Sequence, residues 1–135
     1  RMMELCKGLK KRAITWGVIN AAAFVTNEKM IKAMHESGCR KFSISVESGS
    51  EKVLKDMKKP VDLKWSKKLI NICHNIDLPI SVNFVTGMPY ETKEDMMKTF
   101  KWAGENKADW MTFSMLVPYA GTEIYNYSVK MGYID

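Results

Sequence analysis

The stretch that decides the fold runs from Lys41 to Lys59, KFSISVESGSEKVLKDMKK. Its first half alternates. Phe42, Ile44 and Val46 fall on one side of an extended chain, and Ser43, Ser45 and Glu47 on the other, which is the two-residue period of a strand. Glu47-Ser48-Gly49-Ser50 interrupts that period with turn residues. Ser50 occupies a helix N-cap position. The helix expected behind it runs toward Pro60, whose ring disfavours helical geometry at Lys59. A strand that passes through a polar turn into a helix is one β/α unit. In an open sheet its serine face would meet solvent; in a barrel that face is the interior, where small polar side chains leave room for a ligand.

The same unit recurs on both sides. Upstream, Met2–Lys11 reads as a helix, Ala13–Ile19 (AITWGVI) as a short apolar strand, and Asn20–Val25 as a small-residue connection. Thr26 is then expected to cap a helix that carries Met30, Ile31 and Met34 on one side and stops at Gly38. Downstream, Asp62 starts a helix striped by Leu63, Leu69, Ile70, Cys73 and Ile76. Pro79 opens a strand over Ile80–Val85 (ISVNFV), with Ser81, Asn83 and Val85 on its more polar side. Gly87-Met88-Pro89 turns the chain, and Thr92 with Asp95 forms a capping box for a helix reaching about Lys107. Met111–Val117 reads as the last strand, and Pro118–Thr122 as a turn into a helix ending near Met131. The order β-α-β-α-β-α-β-α, with two helices between the second and third strands, predicts an α/β fold. The class is a parallel-sheet partial (β/α) TIM-type barrel of about four units. Ligands in such sheets bind beyond the carboxyl ends of the strands, where Glu47–Ser50, Thr86–Pro89 and Pro118–Thr122 all fall.

With 135 residues and 46% hydrophobic content the chain suits one globular domain. It is about half the ~250 residues of an eight-unit barrel. No apolar run approaches the ~18 residues that span a bilayer. RMMELCKGLKKR lacks the apolar core of a signal peptide and reads as the middle of a helix. A cytoplasmic fragment of a longer protein, without membrane association, is therefore expected. The net charge of +6 comes from lysines spread over every expected helix among acidic neighbours, the pattern of solvated faces rather than a nucleic-acid groove. Trp16, Trp65, Trp102 and Trp110 are expected mostly in the core. Cys6, Cys39 and Cys73 are too few and too widely spaced for a disulfide scaffold or a metal motif, and read as buried small hydrophobes. His35 and His74 lack ligand partners one helical turn away and are expected at the surface or boundary.

Several rim residues carry two readings each. Glu47 is an anionic acceptor for a ligand amino or hydroxyl group, or a helix-dipole cap. Asn83 offers an amide to a ribose hydroxyl, or is an internal amide satisfied by a neighbouring strand. Gly49, Gly87 and Pro89 serve tight turns or close ligand approach. Lys58 and Lys59 are solvated, or return to the rim to meet a carboxylate. There is no dinucleotide fingerprint, P-loop or nucleophile elbow.

Three segments together, SGCRKFSISVESGSEKVLKDMKK from Ser37, ISVNFVTGMPYETKEDMMKTFKWA from Ile80 and PYAGTEIY from Pro118, resemble the radical S-adenosylmethionine (radical SAM) superfamily. The resemblance is to its cobalamin-associated branch, which includes anaerobic Mg-protoporphyrin IX monomethyl ester cyclases. It implies strands three to six of a six-stranded partial barrel over residues 1–135. It also implies an enzyme in which S-adenosylmethionine and a 4Fe–4S cluster yield a 5′-deoxyadenosyl radical for C–H activation, cyclisation or methyl transfer on a small-molecule substrate. Carried onto this chain, the implied cofactor contacts are Glu47 and Ser48, Lys59, Asn83, Gly87 and Pro89, and Leu116 and Val117. Ala120 departs from the family's second proline. The family's cysteine loop has no counterpart here, so the resemblance implies a cluster held upstream, leaves open an upstream cobalamin domain, and gives no catalytic residue in this chain. The alternative is a non-catalytic relative or scaffold that binds a nucleotide or a protein partner, or self-associates through open sheet edges.

Overall fold

The computed structural model describes residues 1–135. In chain order the elements are α1 (Met2–Lys11), β1 (Trp16–Gly17), β2 (Ala21–Ala22), a 3-10 turn (Ala23–Val25), α2 (Glu28–Glu36), β3 (Cys39–Glu47), α3 (Glu51–Asp56), α4 (Leu63–His74), β4 (Ile80–Thr86), α5 (Lys93–Asn106), β5 (Trp110–Met115) and α6 (Glu123–Lys130). β1 and β2 both lie against one side of β3, followed by β4 and β5, and every pairing is parallel. The result is a parallel half-barrel sheet with helices against it, the predicted class.

Alternation in β3 and β4 decides which face is covered. Phe42, Ile44, Val46, Ile80, Val82 and Phe84 are fully buried, packed in one core with Ile31 and Met34 of α2 and Leu69, Ile70 and Cys73 of α4. Each such side chain contributes about 1.5–3 kcal/mol by leaving water. Phe84 also stacks on Phe113 at 4.9 Å and meets the edge of Trp102 at 5.9 Å, tying β4 to β5 and α5. Cys6, Cys39 and Cys73 are free thiols inside this core. Burial pushes the Cys73 thiol up to about 12 and raises that of Cys39, as expected of small hydrophobes. No helix is long and apolar enough to cross a membrane.

Several local readings differ from the structure, some through backbone conformation, some through a neighbouring side chain and some through distant partners. The strand expected over Ala13–Ile19 shrinks to Trp16–Gly17, bracketed by the left-handed Ala13 (φ +52°) and Asn20 (φ +54°), and a second short strand, Ala21–Ala22, forms in the stretch expected as a connection. Asn27, not Thr26, caps α2 by accepting from Met30 N at 2.9 Å, while the Thr26 hydroxyl donates back to Ala22 O. Ser50 stands at the N-cap of α3, but its side chain accepts none of that helix's N–H groups. Asp62 caps α4 and the Thr92–Asp95 box opens α5, both as expected. β3 starts two residues early at Cys39, and β5 ends at Met115 rather than Val117. Trp16, Trp65 and Trp102 pack against the core, as expected of most of the tryptophans, and Trp110 on β5 is 57% exposed.

Candidate functional site

The polar sides of the central strands form a recess of about 640 Å³. Ser43 and Ser45 of β3, Ser81 and Asn83 of β4, and Thr112 and Ser114 of β5 line it, with Asn20 and Glu47 also in its wall. Parallel register sets Glu47 beside Phe84 and Thr86 beside Met115, so the carboxyl ends of β3, β4 and β5 share one rim. The Pro118 bend follows β5 at that same rim.

Glu47 leaves β3 through an irregularity after Ser45 and takes φ +69°. A left-handed non-glycine residue costs about 1–2 kcal/mol, so the following turn must hold it. Gly49 N donates to Thr99 Oγ1 at 2.9 Å, and the Ser48 and Thr99 hydroxyls meet at 3.1 Å. Ser50 N donates to Ser48 Oγ at 3.1 Å, and the Ser50 hydroxyl donates to Asp95 Oδ1 at 2.7 Å. A Cβ on Gly49 would lie 2.7 Å from Thr99 Cα and 2.8 Å from Lys98 O, so the absent side chain lets the turn lie directly on α5. Asp95 is buried, and its other oxygen accepts from the Thr92 hydroxyl at 3.0 Å. The Ser50 hydrogen bond holds the Asp95 carboxyl well below the usual carboxylate range; Lys98 and Thr92 add to this, and burial opposes it.

The turn presents a charged pair. Lys59 Nζ lies 3.1 Å from Glu47 Oε1, the carboxylate side chain 15% and the lysine side chain 46% exposed. Lys58 at φ +56° reverses the chain after α3, and Lys59 N donates to Leu54 O at 2.9 Å; that reversal returns Lys59 to the rim. Both lysines meet carboxylates, since Lys58 pairs with Glu123 at 2.8 Å. The Glu47 carboxylate is thus engaged by Lys59 and not by the amino end of α3.

Asn83 donates through Nδ2 to Ser43 Oγ at 2.9 Å and to Asn20 Oδ1. Its carbonyl oxygen has no protein partner and remains an acceptor. Gly87 (φ +85°) and Met88 both donate to Glu91 Oε2, at 2.7 and 3.3 Å, shaping the loop that contains Pro89. Leu116 N donates to Thr86 O at 2.8 Å, and Val117 is exposed just beyond.

Of the residues singled out from sequence, Glu47 and Asn83 line the recess, and Lys59 joins it through Glu47. Gly87, Pro89, Leu116 and Val117 stand on the rim outside its walls. The Ser48 side chain is fully buried and turned toward α5, so any part it plays in binding is through the backbone and the turn. Asn20, Asp95 and Thr99 were not singled out as site residues. The capping-box spacing marked Asp95, but nothing local signals its bond to a serine 45 residues away. No group of three or more His, Cys, Asp or Glu side chains is arranged to hold a metal ion.

Residues 1–103 match the family model described as the radical SAM superfamily. An uncharacterized methyltransferase of Pyrococcus horikoshii is 31% identical over 103 residues, 76% of this chain and 22% of its own length. The cytidylyl-2-hydroxyethylphosphonate methyltransferase of Streptomyces wedmorensis is 26% identical across 98% of this chain and 26% of its own. Among solved structures, the radical S-adenosylmethionine methyltransferase TsrM of Kitasatospora setae, with cobalamin and a 4Fe–4S cluster bound, superposes with TM-score 0.75 at 16% identity, covering 84% of this chain and 24% of that one. Coproporphyrinogen III oxidase of Escherichia coli gives TM-score 0.74 at 15% identity, over 84% of this chain and 28% of that one. The chain therefore spans about a quarter of the length of the relatives it matches.

Proposed function

The chain belongs to the radical SAM superfamily, and from that premise we propose that its recess binds S-adenosylmethionine as part of a larger enzyme. The observation that carries the reading is the Glu47–Lys59 pair at 3.1 Å on the rim beside Asn83. The ligand's amino-acid end carries one ammonium and one carboxylate. Glu47 supplies the acceptor for the first and Lys59 the counter-charge for the second, the one held by the turn on α5 and the other by the chain reversal at Lys58. Such preorganised charge needs little rearrangement on binding. The free Asn83 carbonyl oxygen accepts from the ribose hydroxyls, and the recess volume of about 640 Å³ admits a nucleoside. The loop from Gly87 to Pro89 and the exit through Leu116 and Val117 flank the adenine. Ser48 acts by holding the turn.

A reduced 4Fe–4S cluster, when bound beside it, would supply the one electron that splits S-adenosylmethionine into methionine and a 5′-deoxyadenosyl radical, and the sulfonium would be the source of any methyl group passed to a small-molecule substrate. The three buried cysteines do not suit that cluster: they sit in the apolar core, and burial holds the thiols of Cys39 and Cys73 protonated. In this reading the cluster is held by residues other than these, and cobalamin serves the parent protein as it does the Kitasatospora enzyme. What this chain contributes is binding, orientation and exclusion of water.

Calorimetric titration of the chain with S-adenosylmethionine tests the reading. Glu47→Ala is expected to weaken binding about tenfold or more, the loss of one charge-assisted contact. Lys10→Ala, in an exposed pair with Glu36 on the other side of the fold, is expected to change it less than twofold. Equal losses would refute the rim assignment. A second reading, association between copies, is favoured by β5: it is the outermost strand of the sheet, with Trp110, Phe113 and Met115 exposed along it. Concentration-dependent sedimentation that Met115→Lys abolishes would support it.

A further inference from the structure

We propose that Asn20 is a positioning residue that fixes Asn83 as a hydrogen-bond acceptor toward the recess, so that the site selects a nucleoside bearing free ribose hydroxyls. The selection rests on the nucleoside reading above; the positioning does not.

The backbone at Asn20 is unusual for a reason visible in the pairing. Gly17 is opposite Lys41 and Ala21 opposite Ile44, so four steps along one side match three along the other. The upstream side holds one extra residue, a bulge in effect, and Asn20 in that gap takes φ +54°. Bulges re-aim side chains and collect next to sites. Asparagine is among the few non-glycine residues that tolerate the left-handed region. Here the bulge delivers the Asn20 amide into the recess wall, within reach of β4 across β3.

That reach determines what Asn83 shows to a ligand. Asn83 is paired in register with Ser45, yet its Nδ2 donates to Ser43, two residues back toward the amino ends of the strands. A planar amide whose nitrogen points away from the rim sets its oxygen on the rim side, the side of Glu47. An amide nitrogen has two donors; Ser43 takes one and Asn20 Oδ1 the other. Both are spent on side chains of the recess wall itself, and the carbonyl oxygen is the one polar atom of the Asn83 amide left without a protein partner. Without Asn20 one donor is free, and the terminal torsion of Asn83, which is roughly two-fold, can present either end. An acceptor-only amide favours a ligand offering hydroxyl donors and disfavours one offering only carbonyl or phosphate oxygens.

Two substitutions separate this role from backbone conformation. Asn20→Gly accepts positive φ without strain but removes the acceptor; Asn20→Asp keeps an oxygen acceptor. In NMR spectra of the full chain, Asn83 side-chain amide protons are expected to lose exchange protection in Asn20→Gly and keep it in Asn20→Asp. Affinity for S-adenosylhomocysteine is expected to fall about tenfold in Asn20→Gly, the scale of one hydrogen bond, and to stay within about threefold in Asn20→Asp. Preference for S-adenosylhomocysteine over its 2′,3′-dideoxyribose analogue should shrink in Asn20→Gly only. Unchanged Asn83 amide protection in Asn20→Gly, or unchanged affinity, overturns the proposal. If the unsubstituted chain fails to bind S-adenosylhomocysteine while Asn20→Gly still loses Asn83 protection, the nucleoside reading is refuted and the positioning role supported.

Discussion

The turn after β3 and the turn after β5 leave the same rim, and both are polar and glycine-containing in sequence, yet they are built differently. Glu47–Ser50 is bolted to α5: Ser48 and Ser50 are buried, and every hydroxyl in the turn is bonded to α5 or within the turn. Leu116–Thr122 lies open, with Val117 62% and Tyr119 73% exposed, and its hydroxyl contact is local, Thr122 to Tyr119 O at 2.7 Å. The first turn holds charges in place before a ligand arrives. The second has no comparable anchorage to a helix of the sheet's outer layer. Rigidity at the rim thus comes from a helix several tens of residues away and not from the turn residues themselves.

The two turns can be compared glycine for glycine. Gly49→Ala should cost about 3 kcal/mol in urea denaturation, because the new methyl meets backbone atoms of α5 that cannot yield. Gly121→Ala has open space around its Cβ and carries only the penalty of φ +86°, about 1 kcal/mol. Equal costs would mean that the first turn is not seated on α5. Between these falls Asp95→Ala, expected to cost about 2 kcal/mol by leaving the buried Ser50 hydroxyl without its acceptor. The sign of its pH dependence follows from its lowered carboxyl. Its contribution is full above the ordinary value of 3.8 and is lost as pH falls through the lower folded-state value. Asp95→Asn should accordingly lower stability at neutral pH, where the carboxylate's contribution is full, change it least at the acid end, and so flatten the acid limb of the stability curve. The smallest effect is expected where the reversal after α3 meets the helix that follows the second turn: Lys58→Ala removes an exposed pair with Glu123 and should cost at most about 0.5 kcal/mol.

The same contrast separates what the sequence made legible from what it did not. Alternation in KFSISV and ISVNFV gave the buried and polar faces of β3 and β4 correctly, because a two-residue period is a local property. The Thr92–Asp95 box and the Asp62 cap were legible for the same reason. Asn20 was hidden in a small-residue connection, since a left-handed residue at a bulge has no periodic signal. Ser50 looked like a helix cap because its spacing allows it; instead its hydroxyl is turned to donate to a buried carboxylate on α5, and the helix N–H groups receive no side-chain cap. Lys58 and Lys59 differ by one residue and go to different partners, Glu123 and Glu47, which only the reversal at Lys58 determines. At Ser50 and Lys59 tertiary partners overrode a local preference, whereas the cap at Asn27 in place of Thr26 was decided between near neighbours.

The account rests on a ligand lying across the carboxyl ends of β3, β4 and β5 with its charged end at Glu47 and Lys59. Chemical-shift mapping of the isotope-labelled chain during titration with S-adenosylhomocysteine tests this directly. Perturbations are predicted at Glu47–Gly49, Lys59, Asn83, Gly87–Met88 and Leu116–Val117, with α1 and α2 silent. Shifts concentrated on α1 and α2, or none at ligand concentrations in the millimolar range, about −4 kcal/mol of binding, would contradict it.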